Sequence, residues 1–91
     1  MGFLDSMFDN VLAKGVLMKY GIKRPDDAYR FVSRIIEQFD PDDEDIQAVK
    51  EIRTWLKREA ASGSFASEAE YALKRLKMDY HYKDFCNRYH L

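Results

Sequence analysis

Cysteine is nearly absent from this chain, with Cys86 standing alone. One thiol closes no intramolecular disulfide, which excludes a disulfide-stapled scaffold and leaves apolar packing to hold the fold. Proline and glycine are also scarce, at two and four of 91 residues, so collagen-like and low-complexity readings fall away. No apolar run approaches the ~20 residues that a membrane-spanning helix needs. Asp5 and Asp9 interrupt the first apolar stretch and no basic residue precedes it, so no secretory leader is expected. A lone thiol without a leader suits a reducing, cytoplasmic setting, with no membrane partner. Excess charge of one sign is missing too: 15 Lys and Arg face 16 Asp and Glu, for a net charge of −1.

What remains is an ordinary composition for one folded domain spanning residues 1–91, with 46% hydrophobic, 14% aromatic and 34% charged residues. The charges are unevenly placed. Residues 1–45 carry six basic and ten acidic side chains, whereas residues 46–91 carry nine basic and six acidic ones. Such a mild dipole along the chain can orient an encounter with a charged partner.

No 4–8-residue stretch alternates apolar and polar residues between turn signals, so strands are not expected. Apolar positions instead recur at helical spacing. Phe3, Leu4, Met7, Phe8, Val11 and Leu12 share a half-circle, the phase shifts at Gly15, and Gly21 is a natural helix stop. Pro25 with Asp26 and Asp27 opens a second helix, whose buried face is expected to hold Ala28, Tyr29, Phe31, Val32, Ile35, Ile36 and Phe39. Asp40 and Pro41 are expected to cap and begin a third helix reaching about Ser62, with Val49, Ile52, Trp55, Leu56 and Ala60 inward. Ser67 to Glu70 has the spacing of a capping box and opens a fourth helix that buries Ala69, Ala72, Leu73, Leu76 and Tyr80. Beyond Asp79, itself a candidate cap, the i, i+3, i+4, i+7 set Tyr82, Phe85, Cys86 and Tyr89 marks a short last helix or a bent continuation of the fourth. The expected fold is all-α, a compact bundle of four to five short amphipathic helices.

Chemistry-bearing motifs are few. Asp40, Asp42, Glu44 and Glu51 fall at calcium-loop spacing, but the position that needs glycine holds Asp45, and helix capping accounts for the acidic run. His81, Cys86 and His90 do not complete a tetrahedral metal site, and no Cys-x-x-Cys pair or Gly-rich phosphate loop exists, so neither metal nor cofactor is expected. A Cys–His nucleophile has no visible orienting group, so no enzymatic activity is expected. Met1 to Ser6 meets the bare myristoylation spacing, with bulky Phe3 against it.

Two binding readings stand. Aromatic residues outnumber what so small a core can enclose, and Tyr and Trp dominate interface hot spots. The C-terminal Tyr80, Tyr82, Phe85, Arg88 and Tyr89 therefore form the expected docking patch of an adaptor, inhibitor or regulatory subunit that binds another protein or a second copy of itself. The alternative is nucleic acid held by basic helix faces at Lys50, Arg53, Lys57, Lys74 and Lys77. A helix-turn-helix around Gly63 would suit it, but the isoelectric point of about 6.1 is low for a dedicated nucleic-acid binder.

Overall fold

A computed structural model describes residues 15–91, and the expectations for residues 1–14 lie outside them. Residues 15–19 are helical. This segment closes at Gly21, whose φ of +66° is a left-handed conformation that glycine adopts without a Cβ penalty. The Ile22 N–H donates to the Leu17 carbonyl at 2.9 Å and the Gly21 N–H to Met18 at 3.3 Å, the paired bonds of a Schellman stop.

Four complete helices follow: α1 (Pro25–Ile36), α2 (Asp43–Ser62), α3 (Ala66–Met78) and α4 (Tyr80–Tyr89). No strand occurs among the described residues, and the fold is all-α. Pro25 occupies the first turn of α1, and the Asp27 carboxylate turns back to accept the N–H groups of Lys23 and Arg24 at 3.2 and 3.1 Å. Asp26 and Asp27 also complement the positive end of the helix dipole.

Three boundaries differ from the sequence expectation. The cap of α2 is Asp42 rather than Asp40: Asp42 accepts the Asp45 N–H at 2.8 Å and Asp45 reciprocates at 3.4 Å, so Pro41 lies before the helix. α3 starts at Ala66 with Phe65 at its cap position, so Ser67 lies inside the first turn and forms no capping box; the Phe65 N–H is taken by Glu59 of α2 at 3.0 Å. α1 ends at Ile36, which leaves Phe39 beyond the helix and 99% exposed.

The apolar faces meet in one core. Ala28, Phe31, Val32, Ile35 and Ile36 of α1 meet Ala48, Val49, Ile52 and Leu56 of α2 and Ala69, Ala72 and Leu76 of α3. Tyr82 and Phe85 of α4 close it, while Tyr29, Trp55, Ala60 and Leu73 are half-buried at its margin. α3 is central, packing on α1, α2 and α4. Asp79 has an extended backbone (φ −84°, ψ 122°) and caps α4 by accepting the His81 N–H at 2.8 Å. This break turns Tyr80 out of the α3 face, so the expected core residue is 76% exposed.

Candidate functional site

The two sides of α3 treat charge differently. On the α1 side, Glu68 accepts Arg24 at 2.6 Å and the backbone N–H of Asp26 at 3.2 Å. These bonds, Arg24 first, hold the Glu68 carboxyl below its ordinary value, and the same pairing raises the Arg24 guanidinium. Arg75 lies 3.8 Å from the Tyr29 ring centroid and 5.4 Å from that of Tyr71, with Asp26 at 3.6 Å. Arg30 pairs with Asp27 at 2.7 Å. The Asp27 carboxyl is held below the usual range, first by the Lys23 backbone N–H and then by the Arg24 N–H and the Arg30 side chain. Lys19 likewise pairs with Glu44.

On the other side lies a groove of about 600 Å³ between α2, α3 and α4. Four i, i+4 pairs line it, each pair projecting from one helix face: Arg53 with Lys57, Leu73 with Lys77, Tyr82 with Cys86, and Lys83 with Asn87. Leu73, Tyr82 and Cys86 supply an apolar floor. Arg53, Lys57, Lys77 and Lys83 supply four cations, and no acidic side chain lines the groove among the described residues. Lys57, Lys77 and Lys83 are exposed and form no ion pair among the described residues. Arg53 instead lies beside the Tyr82 hydroxyl, with the Cys86 thiol on that hydroxyl as well. Burial is the main cause that pushes the Tyr82 phenol up to about 12, Cys86 adds to it, and the Arg53 cation acts the other way.

The expected aromatic patch is divided rather than continuous. Tyr82 and Phe85 are core residues, 8% and 4% exposed, and Tyr82 reaches the surface only as groove floor. Burying those rings is what lets the ten-residue α4 dock on α1 and α3, so they are not a free docking face. Phe85 stacks on half-buried Tyr89 at 4.8 Å, and both line a smaller hollow of about 210 Å³ with Phe39, Pro41 and Arg88. Arg88 is paired there with Asp84 at 3.1 Å. Tyr80 projects alone, edge-on to His81. Among the basic residues expected on the alternative reading, Arg53, Lys57 and Lys77 come together in the groove, while Lys50 and Lys74 are exposed outside its lining.

Sequence reasoning placed Lys83 on the basic faces of residues 50–57 and 74–88 but missed Leu73, Cys86 and Asn87 as partners of those cations. The signal was present as i, i+4 spacing in each helix. What joins the pairs is the break at Asp79, which reorients α4 against α3 so that one groove collects pairs from α2, α3 and α4.

The remaining surface offers less. A hollow of about 610 Å³ beside α1 mixes Asp27, Glu37 and Asp79 with Arg30 and Arg34. His81, Cys86 and His90 do not gather, and no cluster of three His, Cys, Asp or Glu side chains fit for a metal ion occurs among the described residues. In the acidic run, Asp42 and Asp45 cap α2 and Glu44 is bound by Lys19 and the Tyr20 hydroxyl. No helix among the described residues is long and apolar enough to cross a membrane. No protein-family model, curated protein or solved structure significantly matches the chain.

Proposed function

We propose that this chain is a non-catalytic protein-binding module, a regulatory or adaptor subunit of the cytoplasm, and that it docks its partner in the groove between α2, α3 and α4. One observation carries the reading: four cations without an acidic neighbour in the lining surround an apolar floor. Interfaces combine a desolvated apolar centre with charged rims that steer approach and fix register. The groove has both parts, whereas the aromatic residues that first suggested an interface are divided between core and surface.

Nucleic acid is the second reading, supported by the convergence of Arg53, Lys57 and Lys77. It is weaker because Tyr82 is the one ring in the groove and only 8% exposed, while the exposed Tyr71 and Tyr80 lie outside the lining, so no row of stacking rings accompanies the cations.

The test places a photo-reactive benzophenone amino acid at Asn87, an exposed residue of the groove wall, in the full chain. Irradiation in extract of the source cell should give protein adducts that unlabelled chain competes away. The same label at Phe39 should give none. Absence of any competed protein adduct from Asn87 refutes the module reading, and adducts that disappear with nuclease replace it with the nucleic-acid one.

A further inference from the structure

Resting on the reading of the groove as a protein-docking site, we infer that its occupant is a short acidic amphipathic segment of the partner protein, with an aromatic or aliphatic anchor flanked by carboxylates. The composition of the walls argues for this directly. Arg53 and Lys57 stand on α2, Lys77 on α3 and Lys83 on α4, so cations border the floor on three helices. An anchor on Leu73, Tyr82 and Cys86 therefore has cationic neighbours from every helix, and a segment with acids on both flanks satisfies them. A neutral or basic segment would leave four like charges crowded around a desolvated floor, which is unfavourable.

Lys19, Arg24, Arg30, Arg75 and Arg88 each meet a carboxylate supplied by this chain. For Lys57, Lys77 and Lys83 the described residues supply none, as for Lys23, Lys50 and Lys74; what sets the groove lysines apart is that they border one apolar floor together with Arg53. The floor favours a peptide over a polyanion. Leu73 and Cys86 are half-buried apolar groups that gain from an apolar anchor, whereas a phosphate backbone would meet the cations and leave the floor wet.

The experiment selects binders from a random displayed dodecapeptide library on the immobilised full chain and footprints each at Cys86, the single thiol and a groove residue. Enriched sequences should carry at least two Asp or Glu around an aromatic or aliphatic residue. They should slow alkylation of Cys86 about tenfold at saturation. Their affinity should fall at least about tenfold in Lys57→Glu/Lys77→Glu and by less in Lys57→Gln/Lys77→Gln, a graded loss that charge complementarity requires. Both positions are exposed, and circular dichroism and melting check that each variant folds. Enrichment of sequences without carboxylates, no enrichment, binding indifferent to both variants, or stronger protection of Cys86 by a single-stranded or duplex oligonucleotide would each overturn the inference. The photo-adduct at Asn87 is independent of this outcome: if it persists while the peptides fail, the occupant's chemistry is wrong and the docking site stands.

Discussion

Arginine and lysine have two different fates on the two sides of α3. Toward α1, Arg24, Arg30 and Arg75 are bonded to Asp and Glu of the same chain, and Arg75 also lies over two tyrosine rings. Toward α2 and α4, the cations face an apolar floor with no acid in the lining. The first arrangement orients helices, since Glu68 ties the first turn of α3 to the first turn of α1. The second adds self-repulsion to a small fold whose margin of stability is narrow. A ligand that brings carboxylates, as proposed above, would relieve that repulsion.

Removing the element that the two sides share should have the largest effect. Leu76 is fully buried in the last turn of α3, and Leu76→Ala should cost about 2–5 kcal/mol by urea unfolding, the range for a buried leucine truncation. Loss of the α1 seam and of the groove should coincide in one transition. Two separated transitions would mean that the two sides are not held by a common core.

Alkaline pH separates the sides next. The folded-state phenol of Tyr82 lies at about 12, above the ordinary 10, so its neutral form is the one that the fold favours. Its contribution is fully present below pH 10 and is lost as pH climbs toward 12, up to about 3 kcal/mol for a shift of this size. Tyr82→Phe should remove that alkaline decline, which stability measured between pH 9 and 12 (about the span of the two values) would show. An unchanged decline would place Tyr82 outside the buried floor.

Acid probes the seam by the opposite sign. The carboxyl of Glu68 is lowered, so its contribution is present above the ordinary glutamate range and is lost as pH falls through the depressed value. Glu68→Gln should already lack that contribution at neutral pH and should show a flatter acid limb in thermal melts. Equal acid limbs in the two proteins would remove Glu68 from the account. Salt should give the smallest effect. Screening weakens the seam pairs and relieves the groove, so Lys57→Gln/Lys77→Gln should gain a few tenths of a kcal/mol at low ionic strength, and that gain should vanish as salt rises. Destabilisation of this variant at low salt would show that those lysines have partners in the fold.

The helical fold was legible in the sequence because its signals are local. The 3.6-residue apolar spacing of α1 and α2, Pro25 at a first turn, Gly21 at a stop and Asp79 as a cap each depend on a few neighbouring residues. The boundaries that shifted were decided by competition. Asp42 and Asp45 cap each other ahead of any start at Asp40 and Pro41, and α3 begins one residue before Ser67, with Glu59 accepting the N–H of its cap residue Phe65.

The site was legible only in parts. Arg53, Lys57 and Lys77 were identified as basic positions, but their meeting depends on how α4 swings back after Asp79. The same turn separated Tyr80 from Tyr82 and sent Tyr82 and Phe85 inward. An amphipathic helix shows which residues share a face, but not whether that face meets the core or a partner. That decision rests on tertiary packing.

The central claim, that the groove cations await an acid-bearing partner while the seam cations are already satisfied, is tested most directly by side-chain NMR. Arginine and lysine side-chain signals would be followed while an acidic peptide selected on the full chain is added. The account expects Arg53, Lys57, Lys77 and Lys83 to shift and Arg24, Arg30 and Arg75 to stay in place. Movement of the seam cations with the groove signals unchanged would contradict it.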